Sequence, residues 1–196
     1  FKLSANGGMI HVAEVVGAVG ANATGKTTFM RILAGEIKAD SGDIDSTAKV
    51  SYKPQYIKPT FEGTVRELFI DQIGPAYEGS FFKSEIARPM NLKFMMDREL
   101  ATLSGGELQR VAISLCLART ADIYLLDEPS AYLDSTQRMQ VSKTIRSVIE
   151  KTARSAVVID HDVYMIDMIS DSLLVFSGTP SKTGKAVGPL TMREGM

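Results

Sequence analysis

Three short runs along the chain are apolar on both faces: Val15-Val16-Gly17-Ala18-Val19, Ile123-Tyr124-Leu125-Leu126 and Ala156-Val157-Val158-Ile159. Each is too short for a helix and reads as a buried strand of a parallel sheet. Each is followed at once by residues capable of chemistry: Gly20 and a glycine loop, Asp127-Glu128, and Asp160-His161-Asp162. In open parallel sheets ligands bind beyond the carboxyl ends of the strands. The pattern therefore predicts an α/β fold with its site at that end of the sheet.

Helical patterns fall between these runs. Thr27 to Ala34 places Phe29, Ile32 and Leu33 on one face, and Gly35 is positioned to end the helix. Glu107 to Arg119 carries Leu108, Val111, Ala112 and Leu115 at helical spacing. Asp134 reads as an N-cap with Gln137 three residues on, opening a long helix to about Thr152. The region from Pro59 to Thr102 breaks the strand–helix alternation. It is helical in pattern, punctuated by Pro75 and Pro89, and predicts a helical subdomain (59–102) inserted into a core made of 1–58 and 103–196.

Composition narrows the picture. The 196 residues, 44% hydrophobic and 23% charged, suit one globular domain with a small insertion. Twenty-two basic residues against 23 acidic ones give a net charge of -1, which argues against nucleic-acid binding by bulk charge and leaves a local basic patch open. Cys116 is the sole cysteine, so this chain holds no disulfide, iron–sulfur cluster or structural zinc site of its own. That is compatible with a reducing, intracellular setting. No stretch approaches the ~18 apolar residues of a membrane span. The chain begins Phe1-Lys2-Leu3 without Met and ends Glu194-Gly195-Met196, and it reads as a fragment of a longer protein.

The candidate chemistry starts at Gly20-Ala21-Asn22-Ala23-Thr24-Gly25-Lys26-Thr27, a gapless G-x-x-x-x-G-K-[ST] between a strand and a helix, with Thr28 beside it. Its backbone N–H groups and the helix N-terminus suit a phosphate chain. Lys26 would reach the terminal phosphates, and the Thr27 hydroxyl would bind Mg²⁺. A second stretch, Gly178 to Gly184-Lys185, has one residue too many and Ala186 where a hydroxyl is needed; it predicts a loop. Asp127 ends the second strand and is placed to hold Mg²⁺, with Glu128 placed to orient or deprotonate a water. Ser104 with Glu107 forms a capping box, and Gly105-Gly106 expose backbone N–H groups between them.

Taken together, the glycine loop, Leu103-Ser104-Gly105-Gly106-Glu107-Leu108-Gln109 and Asp127-Glu128-Pro129 resemble an ABC-type ATPase nucleotide-binding domain over essentially the whole chain. The resemblance implies a P-loop NTPase (RecA-like) fold with a mostly parallel sheet, and ATP and Mg²⁺ as ligands. It implies that Ser104, Gly105, Gly106 and Glu107 bind ATP held by an opposite domain. Gln55 matches the Q-loop, a metal and water contact; Asp134 matches the D-loop; His161 matches the histidine that senses the γ-phosphate. Each of the three also has a local reading, as loop residue, N-cap and solvated loop histidine respectively. Phe1 falls where an aromatic stacks on adenine, and is equally a strand-end residue.

Asp127-Glu128-Pro129-Ser130-Ala131-Tyr132-Leu133-Asp134, Ser51-Tyr52-Lys53-Pro54-Gln55 and Pro180-Ser181-Lys182 resemble one branch, the ribosome-recycling ATPases or RNase L inhibitors of ABC subfamily E, and specifically their second nucleotide-binding domain. Two departures from the family are Asp160, where many members have Glu, and Ala21 and Ala23, where many have Pro and Gly.

The expectation is a cytoplasmic ATPase domain that closes head-to-tail on a second nucleotide-binding domain, in the same polypeptide or a second copy, to split ribosomes. The partners implied by resemblance are the small ribosomal subunit and a release or rescue factor. Alternatives are the motor subunit of a membrane transporter and an ATP-gated clamp with little turnover. Cys116, Met95-Met96 and Phe94 read as packing residues, His11 as a loop residue, and Lys83, Arg88, Lys93 and Arg98 as a solvated face.

Overall fold

The computed structural model describes residues 1–42, 44, 47–55 and 61–195. Among the described residues seven strands are formed: β1 Lys2–Ala5, β2 Val15–Gly20, β3 Val50–Lys53, β4 Ile123–Asp127, β5 Ser155–Ile159, β6 Ser172–Ser177 and β7 Thr183–Thr191. They make one sheet in the order β1-β7-β6-β2-β5-β4-β3. Every neighbouring pair is parallel except β6–β7. The three apolar runs are β2, β5 and β4, side by side at its centre.

Alternate side chains of these strands feed opposite cores. Val15, Tyr124, Leu126, Ala156 and Val158 join one; Val16, Leu125, Val157 and Ile159 join the other. The second face is covered by α1 (Lys26–Leu33) through Phe29, Met30 and Leu33. After α2 (Val65–Ile73), the helices α3 (Gly105–Ala118), α4 (Ser135–Thr152) and α5 (Val163–Ile169) cover the first face. A last turn, α6 Met192–Gly195, ends the described chain. Parallel strands buried on both faces have no need of polar alternation, which is why they read as unbroken apolar runs.

The helix ends follow the expected chemistry. Gly35 at φ +75° follows α1, and the Asp134 carboxylate accepts from the Gln137 N–H at 2.8 Å to start α4. The apolar face expected for α3 is only partly right. Val111 is buried, but Leu108, Ala112 and Leu115 are half-buried, while Gln109, Ile113, Ser114, Cys116 and Leu117 are buried. The helix lies between the sheet and the segment that follows β3, so it is covered from two sides and a single stripe does not describe it.

The segment 61–103 contains one regular α-helix, α2. The remainder is built of short 3₁₀ turns at Gly74–Glu78, Leu92–Phe94 and Leu100–Thr102 and a π-helical stretch at Phe82–Ala87. Pro75 opens the first of these, and Asn91 at φ +54° breaks the chain before Leu92. Its buried Phe69, Phe82, Ile86, Met90, Leu92 and Met95 share the core of the first sheet face. Phe94, expected to pack, is 75% exposed. The expected boundary at 58/59 lies outside the described residues.

The second glycine–lysine stretch is corrected. Thr183, Gly184 and Lys185 are in β7, paired to β1 through Gly184↔Leu3 and to β6 through Lys185↔Ser177. A Cβ on Gly184 would stand 2.1 Å from the carbonyl oxygen of Thr24 and 3.1 Å from a Leu3 methyl. The β7 strand thus braces the glycine loop by backbone contact, which neither Gly spacing nor composition announces. Gly184→Ala is expected to cost about 1–3 kcal/mol of stability through overpacking, which is about 2–10 °C in melting temperature for a chain of this size. Nucleotide affinity is expected to fall with it, as checked by thermal denaturation and a nucleotide titration.

Candidate active site

The glycine loop turns sharply off β2. A Cβ on Gly20 would meet the Phe176 carbonyl oxygen at 2.2 Å, and Gly20 sits at φ +144°, so no larger residue fits where β2 leaves β6. Thr24 is buried and donates its hydroxyl to the Ala21 carbonyl at 2.7 Å. Gly25, at φ +100°, precedes α1 without a side-chain cap. The first-turn N–H groups are therefore left to another partner, as an anion site requires. Ala23 holds φ +59° where many family members have Gly; this left-handed residue carries roughly 1–3 kcal/mol of strain. It is held from outside, because the Ser181 N–H donates to the Ala23 carbonyl at 2.9 Å.

Beyond the loop lies a cleft of about 670 Å³. It is lined by Phe1, by Asn22, Ala23, Gly25, Lys26, Thr27 and Thr28 of the glycine loop and α1, by Gln55 and Glu128, and by Ile159, His161 and Ser181. The volume suits a ligand of nucleotide size. Lys26 Nζ donates to the Gly20 and Ala21 carbonyls at 2.7 and 2.9 Å. Burial lowers its pKa, against the opposing charges of Glu128 and Asp127.

Asp127 is fully buried at the end of β4, and neither carboxylate oxygen has a hydrogen-bond partner. Desolvation raises its pKa, and the Glu128 charge adds to that rise; Thr27, Lys53 and Lys26 pull the other way. Thr27 lies close enough to favour the charged form without reaching hydrogen-bond geometry at either oxygen. An unpaired buried carboxylate costs folding energy unless something cationic meets it. Among the described residues no three His, Cys, Asp or Glu side chains cluster as a complete metal site. A hard cation here would take oxygen ligands from the Asp127 carboxylate, the Thr27 hydroxyl and the Gln55 amide, with phosphate oxygens and water supplying the rest. That donor set fits Mg²⁺.

Glu128 stands next, at φ +50°. Gln55 Nε2 donates to its Oε1 at 2.7 Å, and His161 Nε2 is 3.1 Å from the same oxygen. His161 is half exposed, on the loop between two anchored acids. Asp160 accepts from the Ser130 N–H and hydroxyl at 2.8 and 2.6 Å and from the Asp162 N–H at 2.8 Å. Asp162 caps α5 and receives Arg138 at 2.9 Å. Asp160 is thus a buried tie between the β4 and β5 loops rather than a bystander.

The signature residues occupy a different cleft. Ser104, Gly105, Gly106, Glu107 and Asp134 line a depression of about 560 Å³ with Arg110, Tyr132 and Gln137, and it shares no lining residue with the first. The capping box is present: Ser104 N–H donates to Glu107 Oε2 at 2.8 Å, and Glu107 N–H to Ser104 Oγ at 3.3 Å. Arg98 holds the other Glu107 oxygen at 2.5 Å. A Cβ on Gly106 would stand 2.8 Å from the Tyr132 carbonyl oxygen, so the loop after β4 seats directly on the start of α3. Within one chain the signature and the glycine loop do not meet.

Sequence reasoning missed Lys53, Gln109 and Ser181. Lys53 is buried, its pKa lowered to about 8 by desolvation against nearby acids, and its Nζ donates to the Asp127 carbonyl at 2.6 Å and the Glu128 carbonyl at 3.2 Å. Gln109 Nε2 donates to the same Glu128 carbonyl at 2.6 Å. A lysine in the last position of a strand before Pro54 was the available signal.

The sequence profile of the ABC transporter family matches residues 8–131, which hold the glycine loop, the signature and Asp127-Glu128. The chain belongs to the ABC transporter family. An uncharacterized ABC transporter ATP-binding protein of Methanocaldococcus jannaschii is 51% identical over 197 residues, covering 100% of this chain and 32% of its own length. Translation initiation factor RLI1 of Saccharomyces cerevisiae is 43% identical over 195 residues, with the same two coverages. ABC transporter E family member 3 of Arabidopsis thaliana is 41% identical over 171 residues, or 84% of this chain and 94% of its own. The archaeal ribosome recycling factor aABCE1, solved with the archaeal ribosomal stalk protein aP1, matches with a TM-score of 0.94 at 51% identity over 99% of this chain and 38% of that one. ABCE1 with ribosome-bound archaeal Pelota matches with a TM-score of 0.94 at 49% identity over 99% and 33%. The chain spans about a third of the length of the first two of these curated relatives.

The Asp127 geometry carries a pH-dependent expectation. Its folded-state pKa is raised, so its ionisation opposes folding: the cost is absent below the ordinary aspartate pKa and complete above the folded-state value. In the absence of nucleotide and divalent metal, Asp127→Asn is expected to melt above the wild type at pH 7, with the gap closing as pH falls toward 4. A melting-temperature series across pH reads this directly.

Proposed function

We propose that the chain is the second nucleotide-binding domain of an ATPase of ABC subfamily E, which closes on a partner domain to split ribosomes. The observation that carries the ATPase reading is the buried, unpartnered Asp127 carboxylate beside Lys26 and Thr27, one residue from a carboxylate aimed by Gln55. In this reading Lys26 and the loop N–H groups of Gly20 to Thr28 hold the phosphates, and Phe1 meets the adenine. Thr27, Asp127 and Gln55 would hold Mg²⁺, which would supply neutralisation of phosphate charge when bound. The Glu128 carboxylate orients a water and accepts its proton as the water oxygen bonds to the γ-phosphorus and the bond to the bridging oxygen breaks, giving ADP and inorganic phosphate. His161 contacts the γ-phosphate.

The division into a core of 1–58 and 103–196 and a helical unit of 59–102 belongs to this proposal. So does composite catalysis. Ser104, Gly105, Gly106, Glu107 and Asp134 open on a cleft away from Lys26, which supports head-to-tail closure on a second nucleotide-binding domain, in the same polypeptide or a second copy. The relatives named for ribosome recycling, a stalk protein and Pelota support the small ribosomal subunit and a rescue or release factor as partners, in the cytoplasm. Among the described residues no helix is long and apolar enough to cross a membrane.

Two outcomes are expected. Glu128→Gln in the full-length protein keeps ATP binding and loses turnover by about 10²–10⁴-fold, the size of a general-base contribution; unchanged hydrolysis removes Glu128 from the role. The full-length protein co-sediments with isolated small ribosomal subunits in a non-hydrolysable ATP analogue and not in ADP. Failure in both states, with recovery in the membrane fraction, moves the function to transport.

A further inference from the structure

Lys53 has no part in the chemistry just described, yet it is buried to 1% exposure beside the reacting groups. It is the last residue of β3, opposite Leu126 of β4. Pro54 follows, which ends the ladder and keeps the preceding residue extended, so the side chain is launched from a fixed point. Its ammonium reaches past the end of β4 to two main-chain oxygens, Asp127 O and Glu128 O. An apolar side chain of the same length would fill this space without desolvating a charge. The position therefore demands a donor at Nζ.

The target of that donor is an unusual piece of backbone. Glu128 is a non-glycine residue in the left-handed region at φ +50°, a conformation that persists only where surroundings over-determine it. Four contacts do so. Its N–H donates to the Ile159 carbonyl at 2.7 Å, and its carbonyl accepts from Lys53 Nζ, from Gln109 Nε2 and from the Ala131 N–H at 3.3 Å. The carboxylate of the same residue meets Gln55 and His161. Rotating this peptide would turn the carboxylate away from both.

We infer that Lys53 and Gln109 are positioning residues for hydrolysis: together they clamp the Glu128 carbonyl, hold its left-handed backbone, and so fix where its carboxylate stands. Gln109 lies on α3, five residues after Ser104. The clamp thereby ties the helix that begins at the signature to the residue that meets the water. This inference rests on the ATPase reading, in which Glu128 handles the water.

The test measures ATP dissociation constants and kcat for Lys53→Met, Lys53→Gln, Gln109→Leu and the Lys53→Met/Gln109→Leu double variant in the full-length protein, with Glu128→Gln alongside. A misplaced reacting group can cost about 10²-fold in rate. Lys53→Met and Gln109→Leu are each expected to lose about tenfold or more in kcat with ATP affinity within about threefold, and Lys53→Gln, which keeps a donor, to recover part of the loss. The double variant is expected to be no slower than the slower single one, because both donors serve one carbonyl. Unchanged kcat, parallel loss of affinity and kcat, or multiplicative effects in the double variant would each overturn the clamp. If Lys53→Met does not fold, Lys53→Gln and Gln109→Leu decide by the same split. Full turnover in Glu128→Gln would instead sink the ATPase reading itself, while its loss together with normal kcat in the clamp variants sinks only this inference.

Discussion

The site depends on one buried carboxylate that has no hydrogen-bond partner. Asp127 ends a strand that is buried on both faces, so its carboxylate is desolvated, and the fold supplies no hydrogen bond to either oxygen. Behind it, Leu125 and Leu126 fill opposite cores. Below it, Lys53 is spent on carbonyls rather than on the carboxylate. Thr27 and Lys26, from the glycine loop and the start of α1, lie near enough to favour its charged form. A fold that leaves a carboxylate in this condition gains stability from a cation that meets it, and on the proposed reading that gain couples nucleotide binding to the geometry of the loops.

The second constraint is separation. The glycine loop and the signature belong to clefts that share no lining residue, yet α3 connects them. Ser104 starts the helix at one cleft, and Gln109 on the same helix touches the Glu128 carbonyl at the other. The loop after β4 returns the contact, since Tyr132 packs over Gly105 and Gly106. Asp160 then ties that loop to the one carrying His161 through Ser130. The start of α3, the loop after β4 and the loop carrying His161 thus brace one another across the two clefts.

What was legible in the sequence was what obeys a local rule. β2, β4 and β5 are unbroken apolar runs, the Ser104–Glu107 capping box and the Asp134 N-cap are spacings, and the glycine loop is a string. The parts that were not legible depend on distant backbone. β6 and β7 carry Ser, Gly and Pro, and β7 is a strand because β1 and β6 flank it. The amphipathic stripe expected on α3 failed because the helix is covered from two sides. Gly184 and Ser181 matter through contacts with Thr24 and Ala23 that no spacing encodes. Lys53 was visible as a residue but not as a buried one, because its burial comes from the sheet edge and its partners are carbonyls 74 and 75 residues away.

The central claim is that Asp127 is unpaired because a divalent cation brought with ATP is its partner. Isothermal calorimetry of ATP binding with and without Mg²⁺, on the wild type and Asp127→Asn, tests it most directly. The account predicts that Mg²⁺ tightens ATP binding to the wild type and gives no such tightening in the variant, which still binds ATP through Lys26 and the loop. An equal Mg²⁺ effect in both proteins would contradict it.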